Sequence, residues 1–292
     1  MLIDLSHRAK FRVTGGDRTR FLNGQLTNDL KSAKPGQTIH ACVLTVKGKL
    51  CADLFVTPVD DAFLLDCHPA LCEALPARLE KYAIADDIEI TDQTEAFSLF
   101  HSLDPELPDA ILPEGVVSRS NRFGLKGHDL LVPATLKDIV HQLLKQSPLS
   151  QSEFEVFRIE LGIPEWGREL SEEIIPNEAG LDKSAISYTK GCYVGQEVIS
   201  RLKSLGHVNR KLCGVLLING PGLAIGDKLV NQSGQPVGTV TSSTKSDRVG
   251  GWIGLAYVRR GFDQPGSQFH LQHPDNSGLI GMAEVRSLPF IP

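Results

Sequence analysis

The run Lys190-Gly191-Cys192-Tyr193-Val194-Gly195-Gln196-Glu197 holds the side chain best suited to covalent chemistry in this chain. A thiol follows a lysine and a glycine, and Val194, Val198, Leu202 and Leu205 then recur at helical spacing, with Arg201 and Lys203 on other faces. This spacing predicts a helix with Cys192 at or just before its start. Unpaired N–H groups and the helix dipole favour a thiolate there, and Lys190 adds a positive charge. The opposing reading is a small core hydrophobe, the usual fate of a cysteine flanked by apolar residues.

Other charged residues stand at positions that ask for a partner. Ser152 and Glu155 fit a capping box and Gly162 with Pro164 a helix stop, so a helix is expected over 153–161 with Glu160 in its last turn. The dipole disfavours an anion there by a few tenths to about 1 kcal/mol. Glu160 is therefore either paired, with Arg158 or Arg168 for example, or held for a ligand donor. Asp53 lies in the strand-like run Leu50–Val56, where alternation puts Ala52 and Leu54 on one face and Cys51, Asp53 and Phe55 on the other. It needs a partner if buried and none at an exposed edge. The glycines of Arg122–Asp129 read as a tight turn. Arg201, Lys203, His207, Arg210 and Lys211 read as a solvated face or as a surface for a polyanionic ligand tail or an acidic partner protein.

The elements that must position these residues are mixed. Phe11–Thr14 reads as a strand, and Asp17 as the N-cap of a helix carrying Phe21, Leu22 and Leu26. Thr38–Val46 and Leu50–Pro58 read as a hairpin turning at Lys47-Gly48-Lys49, and Ala62–Cys67 as a strand. Helices are expected at Ala70–Ala85, Ala134–Gln146 and Glu153–Leu161, with short strands and turns over residues 86–132. After Gly206 only strand-like segments follow: Leu212–Ile218, Val237–Thr241, Trp252–Val258 and Gly281–Val285. The expected class is α+β, with an α+β region over 1–206 and a small antiparallel barrel or sandwich over 207–292.

The 292 residues are 41% hydrophobic, enough for real cores. With 30 basic and 35 acidic residues the net charge is −5, which argues against nucleic acid as the main partner. No apolar run spans a bilayer and no signal-peptide core opens the chain, so a soluble cytoplasmic protein is expected. The six cysteines form no C-x2-C pair and the nine histidines no H-x3-H pair, so no metal site is expected.

Four ordered segments carry a resemblance. Lys190–Glu197 resembles the K-G-C-Y-x-G-Q-E signature of the YgfZ family, and Phe21-Leu22-Asn23-Gly24-Gln25-Leu26-Thr27-Asn28-Asp29 its N-terminal F-L-x-G-Q-L-T-N-D segment. Arg158–Pro164 resembles its R-x-E-x-G-I-P element, and Pro176–Leu181 is similar to the segment upstream of its cysteine. The wider superfamily includes the aminomethyltransferase (T-protein) of the glycine cleavage system, whose barrel domain suits the C-terminal strands.

The resemblance implies a folate-binding accessory factor for assembly or repair of iron–sulfur proteins. Cys192 would be the reactive residue, supported by Lys190, Gly191, Tyr193, Gly195, Gln196 and Glu197. It further implies tetrahydrofolate or a reduced derivative as cofactor, contacted by Glu160, Asp53 and Asn28, and iron–sulfur enzymes or assembly proteins as transient partners. Departures from the T-protein bear on catalysis. In Gly48–Leu54 its paired aspartates are reduced to Asp53 by Ala52, and in Arg122–Asp129 its tyrosine and glutamate become Leu125 and His128. A folate-dependent aminomethyl or one-carbon transferase is the second expectation. A folate sensor or scaffold with a structural Cys192 is the third.

Overall fold

The computed structural model describes residues 1–105, 115–275 and 278–291, apart from the side chains of His141 and Leu205. Residues 106–114 of the expected strand-and-turn stretch, and the apolar side chain expected of Leu205, thus lie outside the described residues. The chain forms two compact units from interleaved pieces: residues 1–150 with 182–200, and 151–181 with 201–292.

In the first unit the elements are β1 (Leu2–Asp4), β2 (Ala9–Thr14), α1 (Arg18–Gln25), β3 (Ile39–Leu44), β4 (Leu50–Val59), β5 (Ala62–Cys67), α2 (Ala74–Glu80), β6 (Glu89–Asp92), β7 (Phe97–Ser102), β8 (Val116–Ser120), β9 (Gly127–Pro133) and α3 (Lys137–Leu144). Helix α4 (Gln151–Leu161) belongs to the second unit, and α5 (Gln196–Leu205) starts in the first. The strands make a five-stranded antiparallel sheet, β3-β4-β5-β2-β6, and a four-stranded one, β1-β7-β9-β8. The β3–β4 hairpin closes where expected: Gly48 N–H donates to Thr45 O at 2.9 Å, with Gly48 at φ +74°. That positive φ is the reason for a glycine there.

Three expectations about helix ends are corrected in part. Asp17 stands at the N-cap of α1 as expected, its O accepting the Phe21 N–H at 2.8 Å, but its side chain makes no capping bond; Oδ2 accepts the Asp87 N–H at 2.9 Å instead, and Leu26 lies just past the helix. The stretch expected over Ala70–Ala85 divides into a single 3-10 turn, Pro69–Leu71, and α2. Pro76 explains the break, since proline is tolerated only in a first turn, where its missing N–H would be unpaired anyway. Helix α4 starts at Gln151, so Ser152 is inside it and not its cap, while Glu155 pairs with Arg158 and Arg168. Its stop holds: Gly162 takes φ +70° and Ile163 N–H reaches Arg158 O at 2.9 Å.

The second unit contains a closed antiparallel barrel of β10 (Arg210–Asn219), β11 (Lys228–Val230), β12 (Pro236–Ser246), β13 (Gly251–Arg259), β14 (Gln268–Gln272) and β15 (Leu279–Arg286), in the order β10-β13-β12-β11-β14-β15. Val215, Leu229, Val240, Ala256, Leu271 and Ala283 fill its interior. Residues 151–181 group with this barrel, a division that differs from one at 206/207, and hydrogen bonds tie the segment to the strands. Arg158 Nη2 donates to Ser242 Oγ (2.7 Å), Tyr257 Oη to Glu169 O (2.9 Å) and Leu212 N–H to Glu178 O (2.8 Å).

Candidate functional site

Cys192 is exposed, in an irregular strap ahead of α5. The helix begins at Gln196, four residues beyond the thiol, so the expected position at the helix start is corrected. What holds the thiol in place is anchoring on both sides. Lys190 Nζ donates to the carbonyls of Asn23 (2.7 Å), Leu26 (2.7 Å) and Asn28 (2.8 Å), satisfying oxygens left over at the end of α1. On the other side Tyr193 is buried, and Val194 N–H reaches Gly24 O at 3.2 Å. Lys190 is therefore an anchor committed to backbone, and burial lowers its pKa to about 8.

Gly195 explains itself by contact. It takes φ +86°, and a Cβ there would stand 2.6 Å from Thr45 O at the β3–β4 hairpin. Gly191, by contrast, is exposed with open space around it. Gln196 opens α5, its N–H 3.2 Å from Tyr193 O, while Glu197 is exposed. The buried face of α5 is Ile199, flanked by half-buried Val198 and Leu202.

Around Asp53 the structure assembles residues that sequence reasoning left apart. Asp53 Oδ1 lies 2.5 Å from His40 Nε2, and His40 Nδ1 lies 2.9 Å from Ser184 Oγ. The imidazole stacks on Phe55 with centroids 4.5 Å apart. Asp53 and His40 share a face because Cys42 is the cross-strand partner of Asp53 and His40 that of Phe55, a diagonal pairing. Asn28 braces the group: Nδ2 donates to His40 O (2.9 Å) and Ser184 O (3.2 Å), and Oδ1 accepts the Asp29 N–H. Both amide hydrogens are thus spent on backbone. His40 was missed in the sequence, although a histidine two residues before the partner of an inward acid is the signal that would have found it.

In the second unit Glu160 is 2% exposed and both oxygens are engaged. Ser246 Oγ donates at 2.6 Å and Arg248 Nη1 at 3.2 Å. The partner is neither Arg158 nor Arg168. Arg158 is held by Glu155, Glu169 and Ser242, and Arg168 by Glu155 and Glu165.

The Arg122–Asp129 turn serves a buried ion network. Arg122 forks between Asp66 and Asp129, its Cζ 4.1 Å from the Phe55 centroid, and His101 Nδ1 meets Asp129 Oδ1 at 2.8 Å. Burial alone would raise the Asp129 pKa, but Arg122 and the His101 hydrogen bond bring it down to about 2. Beside it lies a pocket lined by Thr57, Ser118, Asp66, Arg122 and Asp129 among others. Asp129 Oδ2 is buried with no hydrogen-bond partner among the described residues.

Among the other thiols, burial raises Cys42 well above its ordinary value, Cys67 to about 12 and Cys213 to about 11. Of the basic stretch, Arg210 pairs with Glu178 over the Tyr257 ring, while Arg201, Lys203, His207 and Lys211 are exposed. Among the described residues no group of three or more His, Cys, Asp or Glu is placed to hold a metal ion. No helix among them is long and apolar enough to cross a membrane.

Comparison with known proteins places this architecture. Residues 1–105 match the family described as GCVT N-terminal domain, and residues 210–291 the Glycine cleavage T-protein C-terminal barrel domain. Its two ends thus resemble the two domains of the glycine cleavage T-protein. The chain is 31% identical over 288 residues to a putative chloroplastic transferase of Arabidopsis thaliana, covering 89% of this chain and 65% of that protein, so it spans just under two thirds of that relative. It is 28% identical over 282 residues to an aminomethyltransferase of Rubrobacter xylanophilus, covering 88% of this chain and 75% of the other. The crystal structure of glycine cleavage system aminomethyltransferase T from Bartonella henselae superposes with a TM-score of 0.85, covering 99% of this chain and 86% of that one at 20% identity. The α+β T-protein-like fold with its antiparallel barrel is as expected.

Proposed function

We propose that this chain is a reduced-folate-binding accessory factor of the cytoplasm that assists assembly or repair of iron–sulfur proteins through Cys192. The observation that carries the proposal is the contrast among the thiols: Cys192 is exposed on a strap anchored at Lys190 and Val194, while Cys51 and Cys72 are half-buried and Cys42, Cys67 and Cys213 buried. A thiol held outward at a fixed place suits exchange with a mixed disulfide, a persulfide or a cluster-bearing partner, because reaction needs access as well as thiolate.

The residues present fit a reduced folate in part. Asp53 is half-buried beside the stacked His40 and Phe55 rings, a setting in which a carboxylate accepts N–H groups of a heteroaromatic ring. Glu160 would accept pterin N–H groups only by yielding its contact with Arg248, whose side chain is 61% exposed and can leave. Asn28 supports the site as a brace. In cells lacking the native protein, the chain is expected to restore iron–sulfur enzyme activity and Cys192→Ala to fail; full restoration by Cys192→Ala refutes the role of the thiol. Calorimetric titration with tetrahydrofolate tests the folate half separately.

A second reading, a folate-dependent aminomethyl or one-carbon transferase, is favoured by the relatives named aminomethyltransferase and by the Asp53–His40 pair. Methylene-tetrahydrofolate formation from an aminomethyl donor, abolished by Asp53→Asn, would decide for it.

A further inference from the structure

The group on the first unit's hairpin has a geometry of its own. Asp53 accepts from Nε2–H of His40 at 2.5 Å, which fixes the tautomer and leaves the lone pair on Nδ1. That lone pair faces Ser184 Oγ at 2.9 Å, and Ser184 is exposed while His40 and Asp53 are half-buried. Stacking on Phe55 holds the ring, and Asn28 ties the backbone of His40 to that of Ser184. A hydroxyl, a base within hydrogen-bond reach and a third group orienting the base are what define an activated nucleophile, whatever the fold or the order in sequence.

We propose that Ser184 is a nucleophile towards small activated acyl groups, with His40 as its general base and Asp53 orienting and stabilising the imidazole. The two ring nitrogens are exchanged relative to the usual serine hydrolase arrangement. That costs no function, because only one fixed N–H and one lone pair are needed. Ser184 Oγ forms a bond to the acyl carbon as its proton passes to His40 Nδ1. The leaving alcohol takes that proton as the ester C–O bond breaks. Water, deprotonated by the same nitrogen, then releases the carboxylic acid, so the balance is ester plus water to acid plus alcohol with no oxidant or reductant. The inference rests neither on folate binding nor on Cys192.

The test uses the full chain with a fluorophosphonate probe and with p-nitrophenyl acetate, and locates adducts by peptide mass mapping. One adduct on the peptide containing Ser184 is expected, absent from Ser184→Ala, with labelling slowed about 100-fold or more in His40→Gln. An adduct confined to Cys192 or to other residues, no adduct at all, or equal labelling of native and His40→Gln would each overturn the proposal. Ser184 is exposed, so Ser184→Ala is expected to fold, and circular dichroism of both variants verifies it. Tetrahydrofolate titration of the same preparations tells a failure here from a failure of the folate reading.

Discussion

Replacing Lys190 by methionine keeps the length of the stem and removes the charge and three donors. In the native chain the ammonium makes three hydrogen bonds of 2.7–2.8 Å to backbone carbonyls. Charge-assisted bonds contribute about 1.5–3 kcal/mol each, so the gross gain is about 5–9 kcal/mol. Burial opposes it: lowering the pKa from 10.5 to about 8 corresponds to a cost of about 3 kcal/mol. The net expectation for Lys190→Met is a loss of about 2–6 kcal/mol at pH 7, measured by urea unfolding. The pH dependence has a definite sign. Between pH 8 and 10.5 the folded native chain binds fewer protons at this site than the unfolded chain, so its stability relative to the variant rises with pH over that window. The neutral amine still donates two hydrogens, so the anchor survives. A loss below 1 kcal/mol, or a gap that narrows from pH 8 to 9.5, would refute the assignment of Lys190 as a buried anchor.

Gly195→Ala forces a side chain into a positive φ and against a carbonyl 2.6 Å away, so it should cost about 2–4 kcal/mol in thermal or urea unfolding. Gly191→Ala, in open space, should cost under about 1 kcal/mol. Asp129, held at about 2 by Arg122 against its burial, contributes stability present above its ordinary 3.8 and lost as pH falls towards 2. That amounts to about 2 kcal/mol, and Asp129→Asn should abolish this part of the acid dependence in unfolding curves from pH 6 to 2.5. Titration of the folded protein with a thiol-reactive disulfide should show one fast thiol, absent from Cys192→Ala, and six after unfolding.

Much of the fold was legible because hydrophobic period and turn chemistry agree. The β3–β4 hairpin, β5 at its full length, the Gly162 stop and most of the barrel strands all follow from local signals. Strand β11 has only three residues, too few for a pattern to register. The site was legible only as separate residues. Cys192, Asp53 and Glu160 stood out by type and setting, but their partners come from far along the chain: Lys190 binds carbonyls of residues 23–28, His40 meets Ser184, and Glu160 meets Ser246 and Arg248. Spacing within a segment carries no trace of such pairings. The same distance explains the misjudged Lys190, which next to Cys192 in sequence looks like its counter-ion and in space caps a helix instead.

The interleaving of the two units bears on how the chain is made. During synthesis α1 emerges early, yet the ammonium that closes its carbonyl end arrives more than 160 residues later, after all of α4. A nascent chain halted at Ser150 would hold both sheets of the first unit but not the strap that braces Thr27, Asn28 and the hairpin. Closing so long a loop is slow, and until it closes the carbonyls of Asn23, Leu26 and Asn28 lack their ammonium partner. A truncated first half is thus an unfinished object, and the last step in building that unit is the one that puts Cys192 on its surface.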